Sequence, residues 1–506
     1  MPDLSLASLR RGGQAFMEDV SREYYLAHAG LQPTAELRPI YERHRAVLGR
    51  DALDFVVDFF RTSAEGSEER RSARALLEWL VESQAARVTA ALDEREIAWE
   101  SSASVSLSDG RAVPYASVAI AIANAGDRRE RLAMDSARAR LVERELAPIR
   151  RERLQRERDF VESLDLANGY VASFEAMSGI ALGGLVAECR AFLAETEGMW
   201  DDVLPAFARP SLAGAPVAEL TRADALALFR GRDYDRFFPG GALEGAVRRQ
   251  ADEMGLDPDA GGRVRYDLGE RVGKRARAFC APLRVPEEVY LVLRPHGGQA
   301  DYSTLLHELG HALHYANMRA DLPFEFRWVG DNSVTEGYAM LFDHRMQDRR
   351  WLLRYTGLAK ADADVFLRHA ALEELHFLRR YSAKLAYEAE LYGGSVPWDA
   401  LPDLYVEALS AATTFRYQRA DAFVDVDPRF YAARYLRAWQ LQALLAETLV
   451  ARFDEDWWRN PRAGPWVVEQ LFAEGQRELG DELAKRVSGK PLSFAPLVRA
   501  IEAALG

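Results

Sequence analysis

The chain has few cysteines and no long hydrophobic run. Only two cysteines occur among 506 residues, Cys189 and Cys280, and they lie far apart in the sequence. Two distant cysteines do not form a disulfide framework, so the sequence predicts a protein suited to a reducing compartment. No apolar stretch reaches the roughly 18 residues of a membrane span, and the first residues lack the apolar core of a secretion signal. We therefore expect a cytoplasmic protein that does not cross a membrane.

The chain has fewer basic than acidic residues. Acidic residues outnumber Lys and Arg by 78 to 65, which gives a net charge of −13. A surface of this sign argues against binding to nucleic acid or to an anionic membrane. Hydrophobic residues make up 48% of the chain, enough for a sizeable core, so global disorder is excluded. The sequence carries no pattern that fixes the oligomeric state.

Apolar residues recur at three- and four-residue spacing along most of the chain, which predicts a mainly α fold. Residues 102–122 differ, because alternating residues flank the turn signal Asp109-Gly110 and predict a small hairpin. Residues 290–294 are apolar and in part β-branched or aromatic, and they predict a short strand. A Pro- and Gly-rich cluster at 257–262 places a boundary near residue 260. We expect an N-terminal helical lobe over 1–260 and a catalytic lobe over 261–506.

Residues 307–311 read His-Glu-Leu-Gly-His. On a helix, positions four apart share one face, so His307 and His311 can bind one metal ion. Glu308 lies beside them and can reach a water molecule on that ion. This H-E-x-x-H spacing is typical of zinc hydrolases, in which the Glu acts as general base.

A catalytic zinc ion usually takes a third protein ligand. Glu336 follows His311 by 25 residues, and the N-cap signals of Gly330-Asp331-Asn332-Ser333 lie between them. Asp343 is two helical turns after Glu336 and can accept the free ring N–H of a zinc-bound histidine, or it is a solvated surface acid. His314 either contacts the metal or packs and hydrogen-bonds near the end of its helix.

Residues 265–345 contain Arg-Val-Gly-Lys at 271–274, Phe-Cys at 279–280 and His-Glu-Leu-Gly-His-Ala-Leu-His at 307–314. This region resembles the oligoendopeptidase F and thimet oligopeptidase family of zinc peptidases, whose motifs read R-x-G-K, F/Y-C and H-E-x-G-H-A-x-H. The resemblance implies one zinc ion, with Glu336 as the third ligand and an acid seven residues later. It also implies a large helical body whose two lobes flank a deep substrate cleft, with a small β-sheet next to the metal helix.

A later segment departs from the family. The family has a His at the position of Arg429 and a Tyr at the position of Arg437, but Tyr431 and Tyr435 keep its spacing. The resemblance implies that these two phenols stabilise the transition state; aromatic packing between helices is the alternative. Arg429 cannot exchange a proton near neutral pH. It can instead bind a substrate carbonyl or a terminal carboxylate, or it is only solvated.

Substrate recognition is predicted at the strand near residue 290. If this is an edge strand, Tyr290, Leu291 and Val292 can pair with an extended peptide; otherwise the strand only supports the metal helix. We expect a zinc endopeptidase that hydrolyses internal bonds of short peptides. The alternatives are a carboxypeptidase- or dipeptidase-type exopeptidase of the same clan and a non-catalytic peptide-binding protein on this fold.

Overall fold

Helices form most of the chain, so the predicted mainly α fold is confirmed. The computed structural model describes residues 4–212, 214–275 and 277–506. Among these residues the α-helices, in chain order, are α1 (Leu6–His28), α2 (Leu37–Arg43), α3 (Arg50–Thr62), α4 (Glu68–Ser102), α5 (Tyr115–Asn124), α6 (Arg128–Leu141), α7 (Ala147–Glu162), α8 (Gly169–Ser178), α9 (Leu182–Glu195), α10 (Glu197–Ser211), α11 (Arg222–Phe229), α12 (Gly240–Met254), α13 (Gln299–Ala316), α14 (Phe324–Trp328), α15 (Asn332–Asp343), α16 (Arg349–Tyr355), α17 (Lys360–Gly393), α18 (Leu401–Thr413), α19 (Tyr431–Phe453), α20 (Ala463–Val467), α21 (Gly480–Ser488) and α22 (Ala495–Leu505). No single helix in the described part of the chain is long and apolar enough to cross a membrane, although the bent pair α8 and α9 passes that test together.

The chain divides into two units, and each unit is built from three separate stretches. The first unit comprises Met1–Gln84, Tyr234–Asp364 and Arg437–Leu497, and the second comprises Ala85–Asp233, Val365–Leu436 and Val498–Gly506. The predicted boundary near residue 260 is not a boundary between these units, since it lies inside Tyr234–Asp364. The glycines there, Gly261 and Gly262, lie in the turn between α12 and the next strand, and the chain stays within one unit.

The second unit contains a small hairpin. Strand β1 (Ser104–Ser106) pairs antiparallel with β2 (Ala112–Pro114), on either side of the predicted turn. The predicted hairpin region ends there, because residues 118–122 belong to α5 and not to a strand. Val118 and Ile122, four residues apart, are buried at 2% and 0% exposure, whereas Ile120 between them is 66% exposed. The burial period is therefore that of a helix.

The first unit contains a three-stranded sheet. Its strands are β3 (Val264–Asp267), β4 (Phe279–Arg284) and β5 (Glu288–Val292), in the spatial order β3-β5-β4. Strand β5 runs parallel to β3 and antiparallel to β4. The predicted strand is present, and of the two alternatives for its position the edge is excluded, since β5 is paired on both sides. Leu291 and Val292 point to opposite faces of the strand and are 0% and 1% exposed, so both faces are covered, which explains the continuous apolar run.

Helix α13 packs against this sheet and against α15. The close approach of the two helices depends on Gly310. A Cβ atom added at Gly310 would lie 2.6 Å from the Cα of Ala339 and 2.9 Å from the carbonyl oxygen of Tyr338. Carbon atoms in contact are about 3.5–4.0 Å apart, so only glycine permits this spacing. The contact determines how near the side chains of α15 come to those of α13.

Candidate metal centre

Two helices of the first unit bring three potential metal ligands together. His307 and His311 lie on α13 and Glu336 lies on α15, and their ligand atoms are all within 4.8 Å of one another. The Glu336 Oε2 atom is 3.4 Å from Nε2 of His307 and 3.8 Å from Nε2 of His311. Three donors at these separations can converge on one ion.

Local sequence explains where the two helices begin. Helix α13 follows Gly298, whose φ of 95° favours glycine, and Asp301 in its first turn accepts the backbone N–H groups of residues 296 and 297. Helix α15 follows Asp331, which accepts the backbone N–H of Ser333 at 2.9 Å and so acts as its N-cap. The predicted N-cap signal before Glu336 therefore corresponds to a real helix start.

The donor set fits a divalent metal ion of the catalytic zinc type. Two imidazoles and one carboxylate are a common protein ligand set for zinc, and they leave one position for water. Each imidazole also has a partner for its other nitrogen, since Nδ1 of His307 is 2.8 Å from Asp343 Oδ2 and Nδ1 of His311 is 3.0 Å from Thr335 Oγ1. Both Nε2 atoms are thereby turned toward Glu336.

Asp343 lies where its predicted role requires. Burial opposes protonation of His307, but hydrogen bonds and charges from Asp343 and Glu336 outweigh it and raise the pKa of His307 to about 10. Burial likewise opposes the charge of Asp343, yet His344 and His307 lower its pKa. The carboxylate is therefore ionised and can hold the Nδ1–H of His307, which leaves Nε2 for a metal.

Glu308 is hydrogen-bonded to the sheet. Its Oε2 atom accepts the backbone N–H of Cys280 at 2.7 Å. Cys280 belongs to β4, and its thiol pKa is raised by burial and by the charge of Glu308. Strand β4, rather than β5, therefore lies next to the predicted general base.

The prediction that Tyr290, Leu291 and Val292 bind substrate through a free strand edge is corrected by this sheet. Their strand has a neighbour on each side, so its backbone groups serve the sheet. Leu291 and Val292 are 0% and 1% exposed. Tyr290 stacks on Tyr25 at a ring distance of 4.3 Å and accepts a hydrogen bond from Arg265. This agrees with the alternative that the strand supports the metal helix, against which it packs.

Tyr431, Tyr435 and Arg429 belong to the second unit. The two tyrosines lie on α19 with ring centroids 4.8 Å apart, so they share a helix face as predicted. Arg429 precedes the helix in a left-handed conformation with φ 54° and ψ 38°. Its Nη1 is 3.4 Å from Oε1 of the buried Glu157. Their predicted roles toward substrate stay predictions.

His314 is not one of the three clustered ligands. It is fully buried, its ring contacts those of Tyr338 and Phe472, and its Nδ1 atom is 3.2 Å from Thr335 Oγ1. Of the two alternatives, packing and hydrogen bonding describe its position. Thr335 was not predicted as a site residue; its hydroxyl directly before Glu336 is the only signal in the sequence.

Known structures share this fold, whereas no protein-family model and no curated protein matches the sequence. An M32 carboxypeptidase from Deinococcus radiodurans R1 aligns with a TM-score of 0.61 and 15% identity over 99% of this chain and 98% of that one. A carboxypeptidase from Pyrococcus furiosus, in an apo-Mg structure, gives 0.62 and 13% over 99% and 98%. A protein from Chlamydophila abortus, provisionally named a peptidase, gives 0.68 and 14% over 99% and 89%. The chain therefore has a peptidase fold, and the narrower likeness to oligoendopeptidase F and thimet oligopeptidase stays a prediction.

Proposed function

We propose that this protein is a metal-dependent carboxypeptidase that removes residues from the C-terminal end of short peptides. The observation that carries the proposal is the cluster of His307, His311 and Glu336, with Glu308 beside it on the same helix. A structural zinc site would need no adjacent base and would more often use cysteine ligands. The donor set and the neighbouring carboxylate together favour hydrolysis.

The residues divide the chemistry between them. His307, His311 and Glu336 would hold the ion, which when bound polarises the scissile carbonyl and makes its water more acidic. Glu308 would take one proton from the attacking water as the new C–O bond forms, and deliver it to the leaving amine as the C–N bond breaks. The Cys280 N–H keeps the Glu308 carboxylate at the β4 side of the helix.

Removal of terminal residues is favoured over internal cleavage by the fold. Two proteins whose structures align over nearly the whole chain are named carboxypeptidases. The sequence motifs taken alone favour an oligoendopeptidase, but they lie in the metal helix and in the segment before it, and both classes require a metal helix. An exopeptidase must distinguish a free terminal carboxylate from an internal amide, and this requirement makes the two activities separable by experiment.

The test uses matched peptides that differ only at their ends. The zinc-loaded full-length protein is incubated with peptides of one sequence carrying a free or an amidated C-terminus, each with a free or an acetylated N-terminus, and products are identified by mass spectrometry. Glu308→Gln removes the base, and we expect at least about a 100-fold loss of rate with zinc still bound. Glu469→Gln is the matched control, because Glu469 is exposed on a different helical segment.

Each outcome has a separate meaning. Single residues or short fragments released only from peptides with a free C-terminus would support the proposal. Internal cuts in doubly blocked peptides that are lost in Glu308→Gln would replace it with the endopeptidase activity. Unchanged cleavage by Glu308→Gln would contradict the assignment of the base, and zinc binding without any cleavage would favour a peptide-binding protein.

A further inference from the structure

Thr335 lies between two histidines inside the first unit. Its Oγ1 atom is 3.0 Å from Nδ1 of His311 and 3.2 Å from Nδ1 of His314. Thr335 is 4% exposed and His314 is fully buried. One hydroxyl group thus contacts the Nδ1 atom of each ring, and this restricts which group donates in each hydrogen bond.

The role of His311 as a metal ligand fixes the direction of its hydrogen bond with Thr335. Nε2 of His311 points toward Glu336, so in a neutral ligand imidazole the proton must be on Nδ1. That N–H donates to Oγ1 of Thr335. A hydroxyl has one hydrogen to donate and two lone pairs, and the hydrogen is then directed to the bare Nδ1 of His314. Tyr315 is a further hydrogen-bond partner of Thr335, and because burial raises the pKa of Tyr315, its phenol keeps its proton and can donate it to the second lone pair.

The surroundings of His314 keep it able to accept. Its ring lies 4.8 Å from that of Tyr338 and 5.5 Å from that of Phe472. The ring is completely buried, and burial is the largest cause that lowers the pKa of His314 to about 3, so the ring is neutral at ordinary pH. A neutral imidazole with its proton on Nε2 presents an acceptor to Thr335, whereas a protonated one would not.

We propose that Thr335 and His314 are positioning residues that fix the tautomer and ring orientation of His311, so that its Nε2 lone pair faces the metal ion. The inference rests on the proposed function only in requiring a metal at this site. His307 would then be oriented by the carboxylate of Asp343, and His311 by an uncharged chain of two side chains. Groups that orient zinc ligands typically contribute about 10- to 100-fold to metal affinity.

The test measures zinc affinity directly. Metal-free wild type, Thr335→Val and Thr335→Ser are titrated with zinc against a chromophoric chelator. Valine has the shape of threonine without the hydroxyl, and we expect its zinc dissociation constant to rise by about 10- to 100-fold. Serine retains the hydroxyl and should stay close to wild type. Thr448→Val is the matched control, because the Thr448 hydroxyl donates within its own helix, to the Leu444 carbonyl.

A second variant tests the hydrogen bond from Thr335 to His314, and it keeps the inference testable if the first variant misfolds. His314→Phe keeps an aromatic ring in the pocket and should weaken zinc binding when it is the only substitution. In the double variant with Thr335→Val it should cause no further loss, since both residues act through the same series of hydrogen bonds to His311. Circular dichroism and peptidase activity at saturating zinc accompany each titration. Recovery of activity at saturating zinc, together with an unchanged circular dichroism spectrum of the metal-free variant, would support a positioning role, since the loss then lies in metal affinity and not in folding.

Three results would overturn the inference. Unchanged zinc affinity in folded Thr335→Val would exclude a role for the hydroxyl while leaving the proposed function intact. Additive losses from Thr335→Val and His314→Phe would show that the two residues act separately. Failure of the wild type to bind zinc would overturn this inference and the proposed function together, whereas zinc binding without peptidase activity would overturn only the latter.

Discussion

The contact at Gly310 makes a quantitative prediction about the metal centre. In Gly310→Ala the new methyl group would lie 2.6 Å from the Cα of Ala339 on α15. Relieving this overlap to a normal carbon separation requires movement of about 1 Å. Both partner atoms are backbone, so no side chain can rotate away, and the two helices must separate or tilt.

The same movement displaces a ligand. Glu336 is three residues before Ala339 on the same helix, so it moves with the contact. Metal sites tolerate ligand displacements of about 0.2 Å, well below the expected shift. We therefore expect Gly310→Ala to weaken zinc binding by at least about tenfold. Overpacking should also lower the free energy of unfolding by about 1–3 kcal/mol, offset in part by about 1 kcal/mol of improved helix propensity.

Gly245→Ala is the control. Gly245 is also inside a helix of the first unit, and a Cβ there would meet nothing within 4 Å. This variant should gain up to about 1 kcal/mol and retain wild-type zinc affinity. Denaturant midpoints and chelator competition are measured for both variants and wild type. If Gly310→Ala behaves like Gly245→Ala in both assays, the close contact does not control the ligand geometry.

Three further predictions concern two buried carboxylates and the removal of the metal. Asp343→Asn should weaken zinc binding by about 10- to 100-fold because the amide holds His307 less strongly; equal affinity in the chelator assay would contradict this. Arg380 and Lys384 overcome the effect of burial and lower the pKa of Asp425 to about 2. At a pH above the ordinary pKa of Asp, the ionised carboxylate therefore stabilises the fold. About 2 kcal/mol of the free energy of unfolding is lost as the pH falls from about 4 toward 2. The denaturant midpoint of Asp425→Asn should therefore change less with pH than that of the wild type. A chelator should lower the thermal midpoint of the zinc-loaded protein and added zinc should restore it, because only the folded state brings the ligands together to bind zinc. Equal midpoints with and without the chelator would count against a metal site.

Local patterns in the sequence predict the elements that carry the metal ligands. The four-residue interval between His307 and His311 is a property of a single helix, so it needs no knowledge of the rest of the fold. Glu336 could be proposed because a cap signal precedes it, and the structure places that helix start at Asn332. These features are specified within a few residues of chain, which is why they could be read directly.

Long-range pairing could not be read in the same way. The apolar run at 290–294 predicts a strand, but an apolar strand of this length fits the middle of a sheet as well as an edge. Its position between β3 and β4 depends on pairing with residues 264–267 and 279–284. The division into units likewise depends on contacts between stretches that are separated along the chain by parts of the other unit. A turn cluster at 257–262 has no local property that distinguishes it from a linker.

The H-E-x-x-H spacing does not determine which nitrogen of each histidine faces the metal. That choice is made by α15, a helix of 12 residues that carries the third ligand and both of the groups contacting the Nδ1 atoms. Thr335 precedes Glu336 directly and Asp343 follows it by seven residues, so one helix contacts both rings while presenting its own carboxylate. The centre is therefore specified by two short helical segments and by the distance between them. Gly310 sets that distance, because the absence of a Cβ atom there lets the backbone of α15 approach α13.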